Sequence, residues 1–378
     1  MMHIPFALPY ITEDEINAVI EVLKSGWLTI GHKTIEFENE FAEYIGCKHA
    51  VATNSCTSAL FLSLKVLGIK AGDEVITPTF TFTATANVIV HHRAKPAFAD
   101  IDGKTYNINP NKIEEKITDK TKAIIAVHYG GQPADMKRIM NIAKKYDLKV
   151  IEDAAHAVGS KYENGKKVGS LGSLTCFSFY VTKPMATGEG GMITLNDDDF
   201  SEKLRILRLH GISKDAWKRY LEKDSWYYEV MTAGYKCNPT DIMSAVGIEQ
   251  LKKLDWMNER RKEIAEHYNE RLQDLDVILP YVYPKLKSTY HLYPIRLINY
   301  NRDKFIKKMA KKGIGTSVHF IPLHLMPYYQ RTYRYKKGDF PIAEKVYENI
   351  VSLPIYPQLT EEQLEYIVKN IREILEKR

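Results

Sequence analysis

The chain of 378 residues predicts an α/β fold, in which a parallel sheet covered by helices on both faces is followed by a smaller α+β unit. Three observations predict it. Short apolar runs alternate with helical stretches between about residues 49 and 195, and several of those runs are polar only at their C-terminal ends. After His210 the texture changes to a long helical pattern and then to a shorter mixed region. The length also exceeds the usual size of one hydrophobic core, which favours two units of unequal size.

The first helix opens at Thr12 with capping-box spacing to Glu15, runs through Ile16, Val19, Ile20 and Leu23, and stops at Gly26. A second covers about 37–44. The runs HAVATN, EVITPT, KPAFAD, KAIIAVH, KVIED, LTCFSFY and GGMITL then read as strands. Continuous apolar runs, rather than alternating ones, are what strands buried on both faces require. Polar residues at their ends are the natural lining of a binding crevice. The Trp- and Tyr-rich segment DAWKRYLEKDSWYYEV precedes a helical pattern from 240 to about 275, along which a hinge is expected. Strands are expected near YHLYPIRL and TSVHFIP, and a terminal helix from Glu361. The expected units are 1–245, including the N-terminal segment, and 246–378.

Composition narrows the function classes. With 44% hydrophobic and 26% charged residues the chain reads as an ordinary globular protein, neither disordered nor fibrous. The net charge of +6 is spread over interleaved acids and bases, which describes solvated helix faces better than a nucleic-acid stripe. Cys47, Cys56, Cys176 and Cys237 form no CxxC pair and no zinc spacing, so they read as free cytosolic thiols and no metal is expected. The opening MMHIPFALPYITEDE lacks a basic stretch followed by a continuous apolar one, and no run of eighteen apolar residues occurs. A cytoplasmic protein without a membrane span is expected.

Three segments carry chemistry. In NSCTSAL (54–60), small hydroxyl residues stand at the start of a helix, where free N–H groups and the helix dipole favour an anion. Thr57 and Ser58 would hold a phosphate there; an ordinary helix cap is the alternative. In KVIEDAAHAVG, Asp153 ends a strand and His156 follows shortly after. A carboxylate in that place can pair with a protonated pyridine nitrogen; a second cap and a helix-face histidine are the alternative. Glu152 reads as structural. In TCFSFYVTKPMATGEGGMI, a strand leads through Ser178 to Lys183 and a glycine-rich turn. A lysine becomes a nucleophile only where burial or neighbours lower its pKa, and the aromatic and small neighbours here suit that need.

Together with SGWLTIG (25–31), GDEVITPTFTFTATAN, VHYGGQPADM, AGYKCNPTDI, VHFIPLH and SLPIYPQLTEEQ, these segments resemble, in order and over nearly the whole chain, the DegT/DnrJ/EryC1/StrS aminotransferases. That family uses pyridoxal 5′-phosphate (PLP) to act on nucleotide-linked keto-sugars. The resemblance implies a fold-type I, aspartate aminotransferase-like architecture with a mostly parallel mixed sheet. It implies Lys183 as the Schiff-base lysine, Asp153 as the partner of the pyridine nitrogen, and His156 beside the ring and its hydroxyl. Thr57, Ser58 and Ser178 match phosphate ligands, and Phe82 matches the aromatic residue that stacks on the cofactor. Lys236 and Asn238, both in GYKCNPTD, match the segment that reaches the partner subunit's phosphate. Thr29, His319 and His324 are implied as substrate contacts.

The same resemblance implies a homodimer with shared sites, L-glutamate as donor and a nucleotide-diphospho keto-sugar as acceptor. HGISKDAWKRY, Trp226 and GYKCN most resemble members that aminate C4 of UDP- or dTDP-linked sugars for cell-surface polysaccharide. Many relatives have Asn after the lysine where this chain has Pro184. Sugar 3-dehydratases of the family have histidine in place of the lysine, so Lys183 favours the transaminase. A regulatory or DNA-binding member would have no use for Lys183 and Asp153, and no helix-turn-helix is evident. A nicotinamide dehydrogenase would need the GxGxxG turn, which is absent.

Overall fold

The computed structural model describes residues 2–213 and 227–376. Trp226 and most of the Trp/Tyr-rich segment, 214–226, lie outside the described residues. Helix α1 (Glu13–Ser25) starts at the Thr12–Glu15 capping box and stops at Gly26, whose left-handed φ of 72° suits a residue without Cβ. Helix α2 (His32–Ile45) begins five residues before the expected start at Phe37. Its first turn is capped from afar, because the Asp241 carboxylate accepts from the backbone N–H of Gly31 (2.8 Å) and Thr34 (3.0 Å).

Seven strands form the main sheet: β1 (His49–Thr53), β2 (Glu74–Pro78), β3 (Lys95–Ala99), β4 (Thr121–Val127), β5 (Lys149–Asp153), β6 (Leu174–Ser178) and β7 (Gly191–Leu195). Their order is β1-β7-β6-β5-β4-β2-β3. The β3-β2-β4-β5-β6 pairs are parallel, whereas β7 runs antiparallel to both β6 and β1, which makes the sheet mixed and mostly parallel. Side chains alternate across it. Ile76, Ile124 and Phe177 face a core with Phe37, Phe41 and Leu254, while Val75, Ile125 and Cys176 face one with Leu60, Val88 and Leu204. Burial on both faces is the physical reason the strands read as continuous apolar runs. Helices α3 (Cys56–Val66) and α4 (Thr83–His91) cover the second face, and the carboxyl ends of β2, β4, β5 and β6 open on one edge.

The helix Asp241–Leu272 hands the chain from one core to another. Ile248, Leu251, Leu254 and Met257 pack with the main sheet, whereas Ile264, Ala265, Tyr268 and Leu272 pack in a second core with Tyr293, Phe305, Ile367 and Ile371. That second core rests on a three-stranded antiparallel sheet of β8 (Val277–Ile278), β9 (Tyr293–Leu297) and β10 (Ile350–Leu353), and on the terminal helix Glu361–Glu376. Two features depart from the sequence expectation. The N-terminal residues join the second core, since Ile4 is buried there and pairs with Ile314. The stretch 316–322 is not a regular strand: Ser317 alone bridges to Ser352, and the chain then turns to face a cavity between the cores. Pro322 has no N–H with which to continue a ladder.

Candidate active site

At the carboxyl edge of the sheet, a cavity of about 710 Å³ is lined from both units. The main sheet contributes the N-terminus of α3, the start of α4, and the residues that follow β5 and β6; the second unit contributes His291 and Ser317 to Phe320. Phe6, brought in by the N-terminal segment, completes the wall.

Ser55 is the N-cap of α3, and its side chain accepts from the backbone N–H of Ser58 at 3.1 Å. Thr57 is exposed on the cavity wall, whereas Ser58 is turned aside, donating through Oγ to Asn54 Oδ1 at 2.7 Å, and is not on the wall. The Ser58 amide is thus used by the cap, while Cys56 and Thr57, whose amides belong to the first turn and have no partner within the helix, lie on the cavity wall at the positive end of the helix dipole. Gly191 lets β7 run against this turn: a Cβ there would lie 2.5 Å from the Ser55 carbonyl carbon and 2.6 Å from the Cys56 nitrogen.

Asp153, the last residue of β5, is 5% exposed. No helix follows at once, so it is not a cap. Its Oδ2 accepts from Thr85 Oγ1 (2.8 Å) and its Oδ1 from the Ala155 N–H (3.2 Å). Burial pushes its pKa up, and those two donors together with Lys183 only partly offset the push. Ser178 ends β6 on the wall. From it the chain turns, with the Lys183 N–H donating to Tyr180 O (2.8 Å), to place Lys183 opposite. Its amine is lowered to about 8 by burial, against the pull of Cys56 and Asp153. The next residue, Pro184, is pinned by its carbonyl, which accepts from Arg261 Nη2 at 3.3 Å.

His156 is buried on the wall in a turn rather than a helix, and its Nδ1 accepts from the Gly130 N–H (3.2 Å). The proton of the neutral ring is therefore on Nε2. Its pKa is well below the ordinary value through burial first, and then through the neighbouring basic groups Lys183 and His319. His319 lies on the wall, stacked on Phe6 (5.3 Å), with Nδ1 2.9 Å from Ser352 Oγ; burial and Lys183 lower it to about 4. Phe82 precedes α4 at the cavity mouth and is 59% exposed, not a core residue.

The structure thus gathers Lys183, Asp153, His156, Thr57, Phe82, Ser178 and His319 around one cavity. It does not gather the rest. His324 is fully buried away from the wall, between Thr79 Oγ1 (2.8 Å) and Glu344 (2.9 Å), because those partners saturate both its nitrogens. Thr29 is exposed and uses its carbonyl to accept from the Asp241 N–H. Lys236 is exposed, and Asn238 is buried with Oδ1 lacking a partner; both lie outside the wall. Their segment touches the α3 entry through Asn54 N–H to Cys237 O, 2.8 Å. Sequence reasoning missed His291, Phe6, Thr85 and Ser317, which reach the cavity from stretches it read without singling these residues out. For His291, the only signal was a polar residue opening the strand run HLYPIRL. Among the described residues no cluster of His, Cys, Asp and Glu is fit to hold a metal, and no helix is long and apolar enough to cross a membrane.

The chain is similar to known proteins along its length. It is 48% identical over 378 residues to the spore coat polysaccharide biosynthesis protein SpsC of Bacillus subtilis, covering 98% of this chain and 97% of that one. The structure superposes with a TM-score of 0.94 on a Streptococcus pneumoniae protein described as a sugar aminotransferase, Spr1654, in its PLP form, at 35% identity and over 100% of this chain and 99% of that one. It superposes with a TM-score of 0.92 on PseC of Helicobacter pylori, an aminotransferase involved in the biosynthesis of pseudaminic acid, at 32% identity and over the whole of both chains. Residues 9–372 match the DegT/DnrJ/EryC1/StrS aminotransferase family, and with Lys183, Asp153 and the start of α3 on one cavity, the chain belongs to that family.

Proposed function

We propose that this sugar aminotransferase moves an amino group from an amino acid, L-glutamate, to the ketone of a nucleotide-diphospho sugar, at C4, for cell-surface polysaccharide or glycoconjugate synthesis in the cytoplasm. The observation that carries the reading is the pairing on one wall of Lys183, lowered to about 8, with the under-satisfied carboxylate of Asp153. The polysaccharide role of SpsC and the sugar pathway of PseC support the acceptor class.

The cofactor is PLP, and the residues fit it. The α3 turn, against which Gly191 lets β7 lie, would offer amides to a phosphate, and Asp153 keeps lone pairs for a protonated pyridine nitrogen. Thr57, Ser58 and Ser178 would hold the phosphate, with Ser58 acting through Asn54 and the cap rather than from the wall. Phe82 would cover one ring face, and His156, with its proton on Nε2, would donate toward the ring hydroxyl. When bound, PLP supplies an electron sink for a carbanion at the donor's Cα. Lys183 supplies the amine that anchors the cofactor and, when free, moves the proton at that carbon. His319 would contact substrate; His324 would act only by holding the β2 end and the loop 323–325 in place.

A homodimer with shared sites accounts for the residues that lie off the wall. Ile16, Ile20, Leu23 and Leu28 are 39–52% exposed on and just after α1, and Val230 and Met231 are at least 60% exposed. An apolar surface of this kind marks an interface. Thr29, Lys236 and Asn238 lie in the same segments and would reach the partner's site. The test is direct: reconstituted with PLP, the protein should absorb near the visible edge and convert a dTDP- or UDP-linked 4-keto-sugar to the amino sugar with consumption of L-glutamate. A chromophore with no amination of any keto-sugar in such a panel would refute the acceptor class.

A further inference from the structure

The wall of the cavity is mostly apolar, and among the described residues Lys183 is its only lysine or arginine. An amino-acid donor nevertheless brings a carboxylate, and Lys183 is committed to the amine chemistry. His156 and His319 each spend one ring nitrogen on a fixed partner, Gly130 N–H and Ser352 Oγ. His291 does not. It is 7% exposed and on the wall, its ring centroid is 4.5 Å from that of His156, and neither of its nitrogens has a hydrogen bond among the described residues. A buried polar group without a partner, open to a cavity, is placed to meet a ligand.

We propose that His291 docks a carboxylate of the amino donor and takes up a proton as it does so. The inference rests on the aminotransferase reading above. The titratable groups that bear on His291 come from four elements: His156 after β5, Lys183 after β6, Arg261 on the long helix, and His319 on the loop 317–320. All are basic, and with burial they hold the empty site's imidazole neutral. The acids on the same wall are Asp153, turned to Thr85, and Glu189. An arriving carboxylate reverses the balance: it favours the imidazolium and receives a charge-assisted N–H···O bond. The imidazole binds protons more tightly in the complex, so donor affinity rises as pH falls. Neither unoccupied His156 Nε2 nor His319 Nε2 needs to leave its place for this.

Stopped-flow mixing of the PLP-loaded enzyme with L-glutamate, in the absence of keto-sugar, separates half-saturation from limiting rate through the loss of the visible band. His291→Phe should raise the half-saturating concentration about tenfold or more, the scale of a lost hydrogen bond to a charged group, with the starting band unchanged. His291→Gln, which can donate but cannot take a proton, should recover part of the affinity and lose its pH dependence. Calorimetry with glutarate, which binds without reacting, gives a second readout. In buffers of different ionisation enthalpy the wild type should take up as much as about one proton per site, and both variants none. Unchanged half-saturation in His291→Phe, or no proton uptake by the wild type, overturns the proposal. Loss of the visible band in the Phe and Gln variants alike would assign His291 to cofactor retention and overturn it too. A wild-type protein that gains no band with PLP would instead refute the functional reading on which it rests.

Discussion

Glu152 and Asp153 are adjacent on β5, both buried, and on opposite faces of the sheet, yet their surroundings differ in kind. Glu152 accepts from His128 Nε2 (3.0 Å), Thr175 Oγ1 (3.0 Å) and the hydroxyls of Tyr162 and Ser173. Burial pushes its pKa up, but these donors outweigh it and hold the carboxyl below its usual range. Asp153 has one hydroxyl and one backbone amide, and burial prevails. The difference teaches that burial does not distinguish chemistry from architecture. A saturated carboxylate is a structural tie, and one left with free lone pairs over a cavity is poised for a ligand.

The comparison can be broken by mutation. Asp153→Asn should fold like the wild type and lose at least about a hundredfold in amino transfer, because a neutral amide cannot favour a protonated ring nitrogen. Turnover near wild type would reduce Asp153 to the same rank as Glu152. Glu152→Gln should do the reverse. It breaks a buried network and should cost about 3 kcal/mol of unfolding free energy in denaturant titration, with the Lys183 chemistry retained in the folded fraction.

The two carboxyls also differ in acid. The folded pKa of Glu152 is depressed, so its contribution to stability is fully present above the unfolded value of 4.5 and is lost as pH falls through the folded value. Asp153 has the opposite sign: its raised folded value means that ionisation opposes folding, and its protonation in acid relieves the strain. Wild type minus Glu152→Gln stability, measured from pH 6 downward, should therefore shrink below about pH 4.5. A constant difference would show that Glu152 is not held ionised. A smaller effect sharpens the account of Lys183. The rate at which cofactor-free protein captures PLP should rise with pH and level off above about 8, as the amine loses its proton. A profile still rising through pH 10 would mean that burial does not lower this amine.

Much of this architecture is legible from residues alone. The Thr12–Glu15 spacing marks α1, and seven apolar runs mark the seven strands, because burial on both faces leaves nothing to alternate. Strand-end polarity places Asp153, Ser178 and Lys183 near one edge, since parallel strands share their carboxyl ends. What is not legible has a common cause. The contrast between Glu152 and Asp153 depends on Tyr162, Ser173 and Thr85, which meet them only across the fold. Ile4 joins the far core because Gly313 and Gly315 admit the N-terminal backbone so closely that a Cβ would lie 2.1 Å from Met2 O and 2.6 Å from Phe6 N. That approach brings Phe6 to the cavity, and no local pattern announces it. The β10 run IVSL is four residues long and follows a helix with no turn between them, so length and punctuation both hide it.

The claim on which the rest depends is that Lys183 is the amine that anchors the cofactor. Borohydride reduction of the PLP-loaded protein, followed by peptide mapping, tests it most directly. The account predicts one modified peptide, spanning the turn after β6, with the label on Lys183, and no label in Lys183→Ala although that variant still binds PLP through the α3 turn and Asp153. A label on any other lysine, or an undiminished label in Lys183→Ala, would contradict it.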